Sequence, residues 1–277
     1  MKITILGNGI FGSALATYLS KKGHTLVDKA GDSELIFVCV TSNMVLPSLL
    51  EIKKEISTQK IIICSKGFAK DGKLISEVLE EEFKNRKGIY YLYGPSLAEE
   101  LNKGVPTGMV LVGKEGKEEL KKEIESNNLY IELSSDVIGV ETSAALKNVM
   151  AILIGVVEGR ELGQNANALI FVKAVEEIKN IGIALGGKIE TFIGLSCVGD
   201  LYLSSRNRCF GIELGKCKSL EDIIKETNYT PAGVYDIKDA KIMVEKLGLD
   251  APLIESLNKI VFEKYPVEDA VNEIISI

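Results

Sequence analysis

A glycine-rich turn set between a strand and a helix constrains this chain more than any other feature. Lys2 to Leu6 reads as a buried strand, and Ser13-Ala14-Leu15-Ala16-Thr17-Tyr18-Leu19 has the apolar spacing of a helix that stops before Gly23. Between them stands Gly7-Asn8-Gly9-Ile10-Phe11-Gly12. In a GxGxxG turn the first glycine permits a tight reversal, the second lets backbone approach a pyrophosphate, and the third packs helix on strand. The helix N-terminus then offers unpaired N–H groups to the anion. Glycines collect in many strand-to-helix turns, so the pattern alone is weak. Its place directly after the first strand, with an apolar helix behind it, favours dinucleotide binding at Gly7, Gly9 and Gly12.

The rest of the first half continues in the same style. Thr25–Val27, Glu34–Val40, Lys60–Cys64, Ile89–Tyr93 and Gly108–Val112 read as strands, with helical segments at 70–86 and 115–126, which predicts a doubly wound parallel sheet. Only Lys29 to Ser33 separate the second strand from the third, whereas a parallel crossover takes about a dozen residues or more. That edge is therefore trimmed or connected differently. From Asp136 the pattern changes to a period of 3.6. Glu141–Glu158 is apolar nearly all round, as in a helix at a domain centre, and helices are also expected at 165–185, 237–247, 252–263 and 266–276. The expected fold class is α/β: a doubly wound sheet domain at 1–135 followed by an all-helical domain at 136–277.

Composition limits the partners. With 33 basic and 39 acidic residues the net charge is −6, so a broad nucleic-acid surface is not expected. The run Val149–Val157, bracketed by Lys147 and Glu158, is far short of the roughly 20 residues that cross a bilayer, and no membrane insertion is expected. Cys39, Cys64, Cys197, Cys209 and Cys217 form no CxxC pair, and the N-terminus opens directly into a strand with no room for a signal peptide. The reading is a cytoplasmic protein with reduced thiols and no metal site.

Chemistry is constrained by scarcity of histidine. The one histidine, His24, precedes the second strand, at the end of the sheet opposite to where nucleotides bind, so a histidine acid or base is not expected. A lysine with a lowered pKa is the remaining proton carrier at neutral pH. Lys147 interrupts an apolar helix; either it is buried and functional or its stem carries the ammonium out to water. Lys66 follows the strand ending at Cys64, on the ligand-binding side of the sheet, or is a solvated loop lysine. Gly94-Pro95-Ser96 follows another strand and could be a simple turn. Asp28, closing the second strand, suits the ribose 2′-OH of NAD and repels the NADP phosphate; it equally suits a turn. Asp200, Ser205, Arg206, Asn207 and Arg208 form the densest polar cluster of the helical half, fit for phosphate recognition or merely a charged loop.

Taken together the blocks resemble the NAD(P)-dependent glycerol-3-phosphate dehydrogenases of bacterial and archaeal type. The matching stretches are Gly7–Gly12, Ser65-Lys66-Gly67, Gly94–Glu100 with Gly104–Thr107, Asp136–Glu141, Ala145-Leu146-Lys147-Asn148, Leu162–Ala166, Gly194 with Gly199-Asp200-Leu201, and Ser205–Gly211, in order across almost the whole chain. The resemblance implies a Rossmann domain, a helical domain and an active site between them. It implies Lys147 as the proton donor or acceptor, with Lys66 and Asp200 beside it as catalytic groups. Lys66, Gly94, Ser96, Lys147, Asp200, Ser205, Arg206 and Asn207 would hold the substrate, while Gly7, Gly9, Ile10, Phe11, Gly12, Asp28, Lys66, Ala98 and Arg206 would hold NAD or NADP, with a lean to NAD from Asp28.

Three departures from the family stand out. The piece after the second strand is nearly gone, the usual Thr-Cys stretch between Asp200 and Ser205 is missing so that a hydroxyl near the substrate comes from Ser204 or not at all, and Ala232 replaces an acidic or amide side chain before Gly233. The expected reaction is reversible reduction of dihydroxyacetone phosphate, with a small phosphorylated partner and homodimerisation left open. The alternatives are another 2-keto or 3-hydroxy acid dehydrogenase of the same architecture, or a non-catalytic dinucleotide sensor.

Overall fold

A computed structural model describes residues 1–84, 86 and 88–276. Asn85, inside the expected 70–86 helix, and Ile277, at the end of the expected helical half, lie outside the described residues. The chain runs β1 (Lys2–Leu6), α1 (Ile10–Lys21), β2 (Thr25–Leu26), β3 (Leu35–Val38), α2 (Val45–Glu51), β4 (Lys60–Ile63), α3 (Ile75–Glu82), β5 (Ile89–Tyr93), α4 (Ala98–Lys103), β6 (Thr107–Val112), α5 (Lys117–Ile124) and β7 (Leu129–Ser134). Helices follow: α6 (Val137–Gly159), α7 (Gln164–Ala184), α8 (Asp200–Tyr202), α9 (Ser205–Gly215), α10 (Leu220–Thr227), α11 (Ala232–Leu247), α12 (Pro252–Phe262) and α13 (Val267–Ser276).

The seven strands form one sheet in the order β2-β1-β3-β4-β5-β6-β7. The central strands are runs of Ile, Val and Phe, buried on both faces as in a sheet covered by helices on each side. The expectation of an all-parallel sheet is corrected at one seam: β5 and β6 pair antiparallel, with Tyr93 opposite Val110, and β7 then runs parallel to β6. The short α4 returns the chain to the end of the sheet that it has just left, so β6 must run back.

The odd connection after β2 has a physical answer. β2 is only two residues long and lies at the sheet edge, and the chain then passes back across β1 through a single 3₁₀ turn, Ala30–Asp32, to pair as β3 on the other side of β1. Thr4 on β1 pins this return, its Oγ1 donating to Val27 O at 2.9 Å. No crossover helix is needed because β2 is too short to require one. The crossing leaves the reversal of strand order beside β1, which is where open α/β sheets take ligands.

The helical half is built around α6. Every residue from Gly139 to Val157 is buried, and α7, α9, α11 and α12 surround it. α6 is long and apolar enough to cross a membrane by length and composition, but here it is the core of a helical cluster. Segment 70–86 is shorter as a helix than expected: residues before Ile75 form a loop fastened by the Lys70–Lys73 bridge. β7, α2, α4, α8, α9 and α10 are elements not anticipated from the pattern.

Candidate active site

The C-terminal ends of the parallel strands gather the sequence-marked residues along one edge. Gly7 has φ +103°, and a Cβ there would lie 2.6 Å from Cys39 O at the end of β3, so only glycine allows β1 to turn this close to its neighbour. A Cβ on Gly12 would meet Gly7 O, whereas one on Gly9 would meet nothing within 4 Å. Gly9 thus faces open space at the start of α1, whose N-terminus has no side-chain cap and keeps its first N–H groups for an anion. Ile10 is exposed at the rim of this turn and Phe11 is half-buried behind it. Asp28 is exposed just beyond β2.

Next along the edge, Ser65 Oγ donates to Val40 O at 2.6 Å, tying the end of β4 to the end of β3. Lys66 follows it. Its Nζ donates to Gly94 O at 2.8 Å and to Asp200 Oδ2 at 2.6 Å. Gly94 is buried with φ +137° beside Gly108 and Met109 of β6, which turns its carbonyl toward Lys66. Ser96 is half-buried two residues on, with its Oγ near Gly94 O, and Ala98 opens α4.

Lys147 settles the alternative posed by its surroundings. It does not reach out to water: the residue is 8% exposed, and its Nζ donates to Asp200 Oδ1 at 2.9 Å and Ser204 Oγ at 3.0 Å. Asp200, 2% exposed, therefore lies between two ammonium groups, one from each half of the chain. Ser204 in turn donates to Asp200 O at 2.8 Å, so the chain has a hydroxyl at Lys147 despite the missing Thr-Cys stretch. Burial first, then repulsion from Lys147, lowers the Lys66 amine to about 8 against the opposing pull of Asp200.

The polar cluster of the helical half divides. Ser205 and Arg206 are exposed on the first turn of α9, and Arg206 makes no ion pair among the described residues. Asn207 donates from Nδ2 to Asn148 Oδ1 at 3.0 Å and accepts from Gly233 N, so it is held between α6 and α11. Arg208 instead bonds Glu158 on α6 and serves packing. Sequence reasoning gave no role to Asn148 or Asp236, both buried around the same centre. The polar Asn148 inside an apolar helix was the available signal for the first; Asp236 on a regular amphipathic helix gave none. His24 bonds Glu123 O at the opposite end of the sheet, clear of the cluster.

Five cysteines remain free thiols, and the described residues hold no His/Cys/Asp/Glu cluster able to take a metal.

Comparison with known proteins agrees with this geometry. Residues 25–119 match the model of the N-terminal part of NAD-dependent glycerol-3-phosphate dehydrogenase, and residues 136–272 match that of its C-terminal part. Glycerol-3-phosphate dehydrogenase [NAD(P)+] of Fusobacterium nucleatum is 32% identical over 323 aligned positions, covering 99% of this chain and 96% of the relative. The enzyme of the same name from Nitrosomonas eutropha is 32% identical over 99% of this chain and 97% of its own length. The alignments extend well past the 277 residues present here, so the relatives carry segments that have no counterpart in this chain. Among solved structures, glycerol-3-phosphate dehydrogenase from Coxiella burnetii superposes with a TM-score of 0.93 at 26% identity, over 100% of this chain and 99% of that one. The chain belongs to the NAD-dependent glycerol-3-phosphate dehydrogenase family.

Proposed function

We propose that this protein is an NAD(P)-dependent oxidoreductase that reversibly reduces dihydroxyacetone phosphate to glycerol 3-phosphate, with a Rossmann domain at 1–135 and a helical domain at 136–277 meeting at the site. The observation that carries the reading is Asp200 held between Lys66 and Lys147 beside the glycine turn. The residues fit the cofactor: the space over Gly9, which a side chain would fill, and the uncapped α1 N-terminus suit a pyrophosphate, with Gly7, Gly12, Ile10 and Phe11 framing it. Lys66, Ala98 and Arg206 would complete the contacts, and Asp28 at the trimmed edge leans the choice toward NAD over NADP. When bound, the reduced nicotinamide supplies the hydride.

The chain's own groups do the rest. Lys147 donates a proton to the ketone oxygen as it gains charge, and takes it back in the reverse direction. Asp200 and the Ser204 hydroxyl fix its direction, since two acceptor contacts of known geometry leave the amine little freedom. Lys66 places a second amine across Asp200; with its affinity for protons lowered to about 8, it adds positive charge near neutral pH that favours the developing oxyanion. Two lysines against Asp200 leave the centre net cationic, which attracts a phosphorylated ligand. Arg206 would grip the phosphate with Ser205 and Asn207, while Gly94 and Ser96 border the substrate. The unpaired cysteines accord with a reducing cytoplasm.

The deciding assay mixes the protein, NADH or NADPH and dihydroxyacetone phosphate, and follows the loss of nicotinamide absorbance. Turnover with at least one cofactor is expected; none with either overturns the assignment.

A further inference from the structure

The turn that carries Lys66 is not held by the sheet alone. Between the end of β4 and the start of α3 the chain makes a loop, and one face of α11 grips it at successive turns. Asp239 Oδ1 accepts Gly72 N at 2.7 Å, and Lys246 Nζ donates to Asp71 O at 2.7 Å. One turn earlier on the same face, Asp236 reaches the beginning of the loop. Its Oδ1 accepts Phe68 N in a long bond of 3.4 Å, and its carboxyl fills the space beneath Gly67, where a Cβ would stand 2.8 Å from Oδ1. Gly67 has φ +123° and lies directly after Lys66, so the carboxyl sets the backbone from which the amine extends.

Asp236 is 5% exposed, and its Oδ2 has no hydrogen-bond partner. A carboxyl buried in this way is retained at a cost unless its shape or its bonding is used. We propose that Asp236 is a positioning residue for Lys66, seating the Ser65–Phe68 turn against the helical half so that the amine reaches Asp200 and Gly94. The inference rests on the reading of Lys66 as part of the active site.

The charged groups that act on Asp236 are Lys147 from α6 and Asp239 on its own helix; Asn148 lies beside it. Burial first, and then Asp239, raise the carboxyl to about 8 against the pull of Phe68 N–H, Asn148 and Lys147. At pH 7 the group is therefore neutral, and asparagine reproduces its shape, its acceptor and its charge.

The test compares the intact wild-type protein with Asp236→Asn, Asp236→Ala and Asp236→Ser, the last withdrawing the polar group from Gly67 without a large void. Measured are kcat and KM over pH 6 to 9.5 and amide hydrogen exchange at Gly67 and Phe68. With the seat removed, in Ala or Ser, kcat falls by roughly tenfold to a hundredfold while KM for the reduced cofactor stays within about twofold. Exchange at Phe68 accelerates about tenfold or more. Asp236→Asn stays within about threefold of wild type at pH 7. Unchanged kcat in both Ala and Ser, or an Asn variant as slow as they are at pH 7, overturns the proposal. If wild type reduces no dihydroxyacetone phosphate, that outcome sinks the assignment of function, and unchanged Phe68 exchange in Ala and Ser separately sinks the seating of the turn.

Discussion

At the scale of single residues, the site turns on how a buried charge is compensated. Lys147 sits in a helix buried almost all round and is tolerated there because Asp200 and Ser204 accept hydrogen bonds from its amine at 2.9 and 3.0 Å. On the proposed mechanism this amine is the proton source: Lys147→Ala is expected to lower kcat by at least about a hundredfold, and near-normal turnover in a stopped-flow or steady-state assay would show that the proton comes from elsewhere. Arg206 is exposed and makes no ion pair among the described residues, so on the proposed function its loss is felt by ligand and not by fold. Arg206→Ala is expected to raise KM for dihydroxyacetone phosphate about tenfold or more, with an unchanged urea midpoint; an unaltered KM would remove Arg206 from the phosphate subsite. Lys66, Lys147 and Asp200 were legible as candidates from their places after a strand, inside an apolar run and in a polar cluster, each with an ordinary structural alternative, and the resemblance to a known family is what implied their roles. Their convergence on one carboxylate was not legible, since it joins residues 134 and 53 positions apart in the chain.

Among the elements, the most consequential contact is the crossing of α6 and α9. Gly155 and Gly159 on α6 face Gly211 and Gly215 on α9, and a Cβ on Gly211 would lie 2.0 Å from Ile152 O. The helix backbones thus approach as closely as glycine allows, and α9 delivers Ser205, Arg206 and Asn207 to the site from that seat. Gly211→Ala is expected to cost about 2–3 kcal/mol or more through overpacking against backbone that cannot yield, read as a lower urea midpoint, and to raise KM for the substrate as α9 shifts; an unchanged midpoint would mean that the crossing relaxes freely. The i, i+4 glycine pairs stand plainly in the sequence, but spacing alone does not say which helix meets which. β3, β4 and α6 were located well because they are continuous apolar runs buried all round, and β1 and α7 because their apolar residues recur at strand and helix spacing. β7 was passed over although its residues alternate buried and exposed, and α4 and α10 are too short for a period to declare itself.

Across the whole molecule, three carboxyls are buried with raised proton affinity: Glu141 and Glu177 at about 7, and Asp236 at about 8, in each case through burial first. Glu141 accepts the Ser76 N–H at the start of α3, and Glu177 accepts Leu253 N and Ile254 N at the start of α12, so each links separate parts of the fold. Because the folded protein holds these protons to higher pH than the unfolded chain does, stability is greatest below the ordinary carboxylate range and declines as pH rises through about 7 to 8. Lys66 works in the other direction only above about 8, where the folded amine has lost a proton that the unfolded chain still holds. The urea midpoint is therefore expected to fall between pH 6 and pH 8, by on the order of a few kcal/mol in stability; a midpoint that is flat or rises over this interval contradicts it.

The sequence by itself determined the two-part architecture, the glycine turn and the identity of the chemical groups, because periodic burial and the scarcity of histidine act locally and leave a trace in residue order. Only the tertiary structure decided that β6 runs against β5, that a single 3₁₀ turn carries the chain across β1, that Ser204 meets Lys147 and that Asp236 lies beneath the turn of Lys66. Those outcomes depend on which surfaces meet once the chain has closed, and contact between distant segments follows from packing in three dimensions, which no local pattern encodes.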